Sequence, residues 1–240
     1  MNFIIDLAKR QSAKILIIIF LVSHIFANAQ NQKDSLCIHF NFKWKNEQLE
    51  LNRFYHSKSD LLRLTTIKFY ISGIAVKYKD NSIFIQKNSY HLVDIEDRKS
   101  SKINICKTNN KSISKVMFSI GVDSLASVSG ALSGDLDATK AMYWAWQSGF
   151  INMKIEGKSN SCNTRKNEFQ FHIGGYSKPN YALRKIELLV NKSNANEVAV
   201  DVDLSKLFEN IELRNTNSIM IPGIAAMNIA DFTAKMFYIP

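Results

Sequence analysis

The fold class is decided by residues 65–78, which read TTIKFYISGIAVKY. Their β-branched and aromatic side chains are typical of a buried or half-buried strand. The stretch is long for a single strand, and Ser72 with Gly73 predicts a bend, because a lone glycine inside a strand pattern usually marks one. Residues 80–82, Asp-Asn-Ser, are turn formers that precede the short apolar run 83–85. We therefore expect a long bent strand, a turn and a second strand.

Strand patterns continue on both sides of this stretch. Residues 36–42, LCIHFNF, put Leu36 and Ile38 on one side of a strand and Cys37 and His39 on the other. Further strand candidates are 90–95, 103–106, 115–121, 149–156, 168–173, 184–190 and 197–202, with 149–156 and 168–173 forming a hairpin. Helices do not alternate with these strands, as they would in a parallel α/β fold. The sequence predicts an all-β fold, an antiparallel Ig-like β-sandwich.

Two segments break the strand pattern. Residues 127–140 are rich in Ser, Gly and Asp and predict a loop with one helical turn near 137–141. Residues 224–237 carry apolar side chains at helical spacing after a Pro-Gly pair, which predicts one short C-terminal helix. No repeat or linker divides the chain, so we expect residues 30–240 to form one domain.

Residues 1–29 have the three parts of a secretory signal peptide. Basic residues at 9, 10 and 14 precede the apolar run 15–22, and residues 27–29, Ala-Asn-Ala, supply a small-residue cleavage site. The apolar run is shorter than the roughly 20 residues of a transmembrane helix. We therefore expect cleavage after residue 29, no membrane span in the mature chain, and a periplasmic or secreted protein.

Composition and motifs exclude several classes of function. The 240 residues are 46% hydrophobic and 22% charged, an ordinary globular balance with a formal net charge of +10. Removing residues 1–29 takes away three basic residues and Asp6, which leaves +8. The lysines are scattered through polar loops instead of forming a stripe, so we expect no nucleic-acid binding. The motifs GxSxG, HExxH, GxGxxG, CxxC and the P-loop are missing, so we expect no enzymatic activity.

Cysteine and histidine supply candidate site residues. Export places Cys37, Cys106 and Cys162 in an oxidising compartment, where we expect one disulfide of open pairing and one remaining thiol. His39 and His172 lie in strand patterns among aromatic residues, where a polar ring needs a partner. Such a ring is a hydrogen-bonded structural histidine or, where several converge, a metal ligand.

Tryptophans supply a second set of candidates. Alternation puts Met142, Trp144 and Trp146 on one side of residues 142–150. This arrangement fits either a core aromatic stack or the lining of a copper pocket, and composition does not distinguish the two.

Several blocks, taken in order, resemble those of the MbnP-like family, exported copper-binding proteins related to those of methane-oxidising bacteria. They are IKFYISGI (67–74), YHLVD (90–94), FSIGVDS (118–124), MYWAWQSG (142–149), KIEG (154–157) and FHIGGY (171–176), followed by IPG (221–223) and the C-terminal helix. The resemblance covers about residues 36–240, essentially the whole mature chain.

The resemblance implies a β-sandwich that binds copper outside the cytoplasm. In such proteins the site consists of histidines and a tryptophan oxidised to kynurenine, and a di-haem protein of the peroxidase type carries out that oxidation. His172 lies in the FHIGGY block, His91 in the YHLVD block and His39 in the first strand. These are the histidines that the resemblance assigns to copper.

The position two residues before His39 departs from the family pattern. Relatives can carry a tryptophan there, and this chain has Cys37, so Trp44, Trp144 and Trp146 become the candidates for oxidation. Cys37 and His39 project to the same side of their strand, and a thiolate with an imidazole suits Cu(I). Cys37 therefore joins the candidate ligands.

The predicted function is an exported, non-enzymatic copper-binding protein for metal scavenging, storage or delivery. It requires at least two of His39, His91 and His172 to lie within bonding distance of one copper ion. The alternative is a cell-surface or periplasmic interaction or glycan-binding module whose metal site has degraded. An exposed Trp144 or Trp146 would favour that alternative, because glycan sites commonly present an aromatic platform.

Overall fold

The long bent strand of the sequence prediction is the centre of the larger sheet. The structure is a computed structural model that describes residues 35–58, 60–107, 111–147, 149–191 and 196–240, so the predicted signal peptide lies outside the described residues. Its strands are β1 (Ser35–Trp44), β2 (Glu47–Gln48), β3 (Phe54–Ser57), β4 (Asp60–Tyr78), β5 (Ile83–Ile85), β6 (Tyr90–Asp94), β7 (Lys102–Lys107), β8 (Ile113–Ile120), β9 (Tyr143–Trp144), β10 (Gly149–Ser159), β11 (Glu168–Gly174), β12 (Tyr176–Ser177), β13 (Asn180–Tyr181), β14 (Arg184–Leu189), β15 (Glu197–Asp203), β16 (Ser218–Ile219) and β17 (Phe237–Tyr238). Its helices are α1 (Ser124–Val128), α2 (Ser205–Phe208) and α3 (Ile224–Thr233), with 3-10 turns at Gly134–Leu136, Ala138–Lys140 and Ala234–Met236.

Strand β4 bends where the sequence predicts. Gly73 has a φ of +58°, and the pairing register with β8 shifts between Ser72 and Ala75. Only glycine adopts this backbone region without a steric penalty, so the bend falls at the one glycine of the strand. The bend lets the first half of β4 pair with β10 and the second half pair with β8 along the same edge, while β3, β6 and β5 pair along the other edge.

The smaller sheet is built around β1. Strand β15 pairs with one edge of β1, from Cys37 opposite Glu197 to Lys43 opposite Asp203, and β7 and β2 pair with the other edge. The β1–β15 pair is parallel, as is β11–β16, whereas the other pairs among the described residues are antiparallel. The prediction of a sandwich is confirmed, but a uniformly antiparallel one is not found. Side-chain alternation defines which face of a strand is buried and carries no information about its partner's direction.

The main core lies between the two sheets. Every second residue of β1, from Leu36 to Trp44, is buried, and these side chains face the buried residues of β4, β8, β10 and β11. Phe40 lies edge-to-face with Phe118 at 5.7 Å between ring centroids, and Phe69 lies edge-to-face with Phe237 at 5.5 Å. Such pairs stabilise beyond the burial of their area. The core thereby fixes which side chains of each sheet point outward.

A second, smaller core covers part of the outer face of the larger sheet. Residues 122–147, here named the 122–147 cover, fold over Tyr70, Leu92 and Phe150. The Tyr70 hydroxyl donates to the Asp135 carbonyl at 2.9 Å, and the Asp135 carboxylate accepts from the Leu92 amide at 3.1 Å. These bonds tie the cover to β4 and β6.

The two predicted helical segments are found at the predicted positions. The C-terminal helix is α3, continued by a 3-10 turn, and the predicted helical turn near 137–141 is the 3-10 turn at Ala138–Lys140. The predicted hairpin is the antiparallel pair β10–β11. Among the described residues, no helix is both long enough and apolar enough to cross a bilayer.

Candidate functional site

The predicted histidines lie on three different surfaces. His39 is on the outward face of β1, because it alternates with the buried Ile38 and Phe40. His172 is on the outward face of β11, with the buried Phe171 turned to the main core. The main core therefore separates these two rings. The requirement that several of the predicted histidines share one ion is not met by this fold.

His91 is held apart from both. It shares a face of β6 with Val93, which packs in the main core, and its Nε2 lies 3.4 Å from Gln86 Oε1. Burial lowers the pKa of His91, and the Asp135 carboxylate opposes that effect. A largely neutral ring beside a side-chain amide is typical of a structural histidine.

His172 belongs to a row of charged side chains across the larger sheet. Register places Asp94, Lys68, Lys154 and His172 side by side on β6, β4, β10 and β11. Lys68 Nζ lies 2.8 Å from Asp94 Oδ2, and Lys154 Nζ donates to the Ala141 carbonyl at 2.7 Å. Lys68 is thus paired within the row, and Lys154 is paired with the 122–147 cover.

Glu156 holds the His172 ring directly. His172 Nε2 lies 2.7 Å from Glu156 Oε1, and the histidine side chain is only 9% exposed. The hydrogen bond from His172 lowers the pKa of Glu156 against the opposing effect of burial. A buried imidazole that already has a carboxylate partner fits the structural interpretation that the sequence left open.

The surroundings of His39 are open by comparison. Its Nδ1 lies 3.7 Å from Glu197 Oε1, beyond hydrogen-bond distance, and its side chain is 30% exposed. Burial lowers the pKa of His39, the neighbouring Lys102 lowers it further, and Glu197 opposes both. The ring also lines an open cleft of about 820 Å³ that reaches Asp94, Arg98 and Lys102. A neutral imidazole without a close partner is available for a ligand.

Cys37 shares the outward face of β1 with His39. Both are partly exposed, and Glu197 stands opposite Cys37 in the β1–β15 register. Burial raises the pKa of the Cys37 thiol, and Glu197 raises it further. The same carboxylate therefore acts on both Cys37 and His39. We name these three residues the β1 face.

Cys37 and Cys162 do not form a disulfide with each other, and the side chain of Cys106 lies outside what the structure describes. Cys37 and Cys162 are both free thiols, and Cys162 is buried in the main core. Burial raises the pKa of Cys162 to about 11. Cys162 is thus a core residue, whereas Cys37 keeps a thiol at the surface.

The tryptophans have three different environments. Trp44 stacks on Tyr55 in the main core at 4.7 Å between ring centroids, and Trp144 is a buried residue of the cover, with its ring against Gly174. Trp146 is 63% exposed. Strand β9 ends at Trp144 and the chain turns into β10, which leaves Trp146 exposed, although its ring centroid lies 5.9 Å from that of Trp144. The exposed Trp146 is the observation that the interaction-module alternative expects.

Sequence reasoning missed the carboxylates that govern these rings. Glu197 reaches the β1 face from β15, and Glu156 reaches His172 from β10. Neither lies near its histidine in sequence, and only the strand register brings them together. Within the described part of the chain, no three His, Cys, Asp or Glu side chains form a group that could hold a metal ion together.

Comparison with known proteins tests the predicted resemblance. The family model of MbnP matches residues 33–221, most of the chain. The chain belongs to the MbnP family. This confirms the family that the sequence blocks indicate.

The fold of this MbnP family member also has a solved counterpart. The chain is similar to the structure of MbnP from Methylosinus trichosporium, with a TM-score of 0.56 and 14% sequence identity over 79% of this chain and 82% of that chain. At this identity the likeness establishes the fold alone. No curated protein sequence matches the chain. Membership in the MbnP family suggests a metal-related role.

Proposed function

We propose that this MbnP family member is an exported, non-enzymatic copper-binding protein that holds Cu(I) between Cys37 and His39. The observation that carries the proposal is the β1 face, where a free thiol and an imidazole lie on one uncovered strand face beside Glu197. Family membership supports a metal-related role, and the donor types support copper. Thiolate ligands select soft ions such as Cu(I).

The spacing of the two donors suits one ion. Cys37 and His39 are two residues apart on an extended strand, so their Cα atoms are about 6.6 Å apart. A metal bridging sulfur to nitrogen spans about 4.3 Å, by analogy with zinc bond lengths. The proposal requires the two side chains to rotate toward each other to close the remaining gap. Cu(I) tolerates low coordination numbers, so two donors are enough to hold it.

Protonation states favour His39 over His172 as a ligand. The lowered pKa of His39 keeps its ring neutral at neutral pH, which is the ligand form of imidazole. His172 has its Nε2 occupied by Glu156, and the cation of Lys154 stands beside it in the sheet register. A metal ion at His172 would have to displace Glu156 from the imidazole and would be repelled by the positive charge of Lys154.

An open site on the β1 face suits scavenging or delivery. The carboxylate of Glu197 is 51% exposed and the imidazole of His39 30% exposed, so an incoming ion or an accepting protein can reach the donors directly. Copper held there can exchange without unfolding of the sandwich. We therefore propose transfer of the metal as the role of this protein.

The proposed site does not depend on an oxidised tryptophan. Trp44 and Trp144 are buried, and Trp146 lies over the larger sheet on the far side of the main core from Cys37. If a di-haem peroxidase-type partner acts on this chain, we expect Trp146 to be its substrate because it alone of the three is accessible. Intact mass and peptide mapping of the exported protein test this, and a modified Trp44 or Trp144 would contradict it.

Copper titration with matched variants tests the site. Cu(I) is titrated under reducing conditions in competition with a chromophoric chelator, using the wild type, Cys37→Ser, His39→Ala and His172→Ala. We expect each of the first two substitutions to weaken binding by at least about tenfold, a loss comparable to that seen when metal-site residues are altered. His172→Ala is the control and should bind copper as the wild type does. Loss of binding in His172→Ala with retention in the other two would overturn the assignment.

The proposal also fixes a pH dependence. Because the pKa of Cys37 is raised above its ordinary value of 9.0, the thiol is protonated at neutral pH and copper must displace that proton. The apparent affinity should therefore rise by about tenfold per pH unit between about pH 7 and pH 8.5. An affinity for Cu(I) that is independent of pH over this range would show that the thiol is not a ligand.

A further inference from the structure

One end of the molecule exposes large apolar side chains from three separate turns. Helix α1 presents Leu125, the turn between β9 and β10 presents Trp146, and the segment leading into α3 presents Ile221 and Ile224. Their exposed fractions are 77%, 63%, 62% and 72%. With Val128 of α1, which is 64% exposed, we name these residues the apolar end.

The β12–β13 hairpin joins these turns into one surface. The Ser124 hydroxyl at the start of α1 donates to the Tyr176 carbonyl, and Val128 and Tyr176 line one shallow cavity. Tyr176 also lines a second cavity, with Gln147 next to Trp146 and with Pro222 next to Ile221. The three segments of the apolar end therefore border one another around Tyr176. Exposed apolar surface of this kind marks an interaction site.

Charged residues of opposite sign border this end. Asp123 caps the start of α1, and Arg184 of β14 pairs with Asp231 of α3. Lys178 lies at the hairpin, beside Val128 and Tyr176. The chain as a whole is basic, with a formal net charge of +8 for residues 30–240.

We propose that the apolar end binds the surface of an anionic lipid membrane. Tryptophan and isoleucine on separate projecting turns can each enter the interfacial layer, and tryptophan is enriched at that depth. A basic protein is drawn to anionic headgroups within a Debye length of the bilayer, and Lys178 adds a headgroup contact at the surface itself. A second copy of the chain would carry the same positive charge and be repelled, and a neutral glycan would make no use of it.

This inference goes beyond copper binding and is independent of it. The β1 face lies on the smaller sheet, whereas Trp146 lies over the larger sheet. Membrane attachment through the apolar end would leave Cys37 and His39 facing the aqueous phase. The Cys37→Ser variant should therefore bind membranes as the wild type does.

Fluorescence of Trp146 gives a local readout in the full chain. The protein is mixed with vesicles of phosphatidylcholine and phosphatidylglycerol in which part of the lipid is brominated near the headgroup. We expect quenching of Trp146 alone, since Trp44 and Trp144 are buried. In Trp146→Phe the quenched fraction of the emission should disappear. The apolar run 15–22 is common to all variants, so differences between them report the apolar end.

Flotation with the same vesicles measures how strongly the surface binds. The double substitution Ile221→Ser and Ile224→Ser should lower the partition coefficient by about a hundredfold, because each buried isoleucine side chain is worth about tenfold or more. Leu189→Ser is the matched control, since Leu189 is 67% exposed on β14 opposite Lys115 and outside the apolar end. All three residues are exposed, so the folds of the variants should match the wild type by circular dichroism.

Four outcomes would overturn the proposal. One is the absence of Trp146 quenching, and another is an equal loss of flotation in Leu189→Ser. The third is sedimentation equilibrium that finds a dimer in the wild type and a monomer in the double isoleucine variant, which would assign the apolar end to a second copy of the chain. Binding of Trp146 to oligosaccharides in the absence of any binding to vesicles would likewise assign the surface to a glycan.

Discussion

The two sheets treat their outward faces differently. On the smaller sheet, the outward residues of β1 are partly exposed, and His39 Nδ1 lies 3.7 Å from the carboxylate of Glu197. On the larger sheet, the 122–147 cover builds a second core, and His172 at its edge is bound to Glu156 at 2.7 Å. Two histidines with the same strand pattern therefore differ in whether their rings are available to bind a ligand.

This difference shows that the residues covering and contacting a strand histidine determine whether it stabilises the fold or binds a ligand. A buried ring with a carboxylate partner contributes to stability, and its removal leaves an unpaired polar group. A partly exposed ring without a close partner contributes little to stability and remains free to bind. Substitutions on the covered face should therefore lower the free energy of unfolding, whereas substitutions on the β1 face should weaken ligand binding.

The largest effect should come from removing the centre of the covered face. Trp144→Ala deletes a buried ring of the second core that packs on Gly174, so we expect a loss of about 3–5 kcal/mol in the free energy of unfolding. Cys37→Ala on the β1 face is the counterpart and should change it by less than about 1 kcal/mol. Urea unfolding followed by circular dichroism measures both. Similar losses of unfolding free energy in the two variants would contradict the proposed difference between the faces.

An intermediate effect should come from the bond that holds His172. Glu156→Gln removes the carboxylate, and we expect a loss of about 1–2 kcal/mol at pH 7 because a charge-assisted hydrogen bond is weakened.

The sign of its pH dependence follows from the lowered pKa of Glu156. A carboxyl whose pKa is lower in the folded state stabilises fully above its ordinary value of 4.5, and that contribution is lost as pH falls through the folded-state value. The difference between wild type and Glu156→Gln should therefore shrink below about pH 4.5. Unfolding curves from pH 3 to pH 7 measure it, and a difference that grows in acid would refute the assignment of Glu156 as the partner.

The smallest effect should be seen on the open face. The pKa of His39 is lowered by burial and by Lys102, so its ring protons should titrate with a midpoint below 6.5 in an NMR titration. The Glu197 carboxylate opposes this shift, so Glu197→Gln should lower the midpoint further. A midpoint that rises in Glu197→Gln would show that the carboxylate does not act on the ring.

Much of the fold was predictable because it depends on local pattern. The alternation of β1, the bend of β4 at Gly73 and the helix after Gly223 each follow from residues within one element. Short strands such as β3, Phe54–Ser57, were missed because their hydrophobic pattern is brief and because they form by pairing with a distant part of the fold, here β4. The parallel β1–β15 pair was missed because pattern does not specify a partner.

The candidate site was less predictable for a related reason. Cys37 and His39 could be placed together because they lie on one strand, but the separation of His39 from His172 depends on which sheet each strand joins. The environment of Trp144 depends on a turn that ends β9 after two residues, and the exposure of Trp146 follows from the same turn. Such features arise from tertiary contacts between segments that are distant in sequence.

The pairing of β1 with β15 constrains when the protein can fold. Along one edge, residues 37–43 pair with residues 197–203, so the smaller sheet stays incomplete until most of the polypeptide has been synthesised. Contacts of such long sequence separation form slowly. Strands β2 and β7 can pair with the other edge of β1 early in synthesis, but the edge that β15 occupies stays open until residues 197–203 have been made.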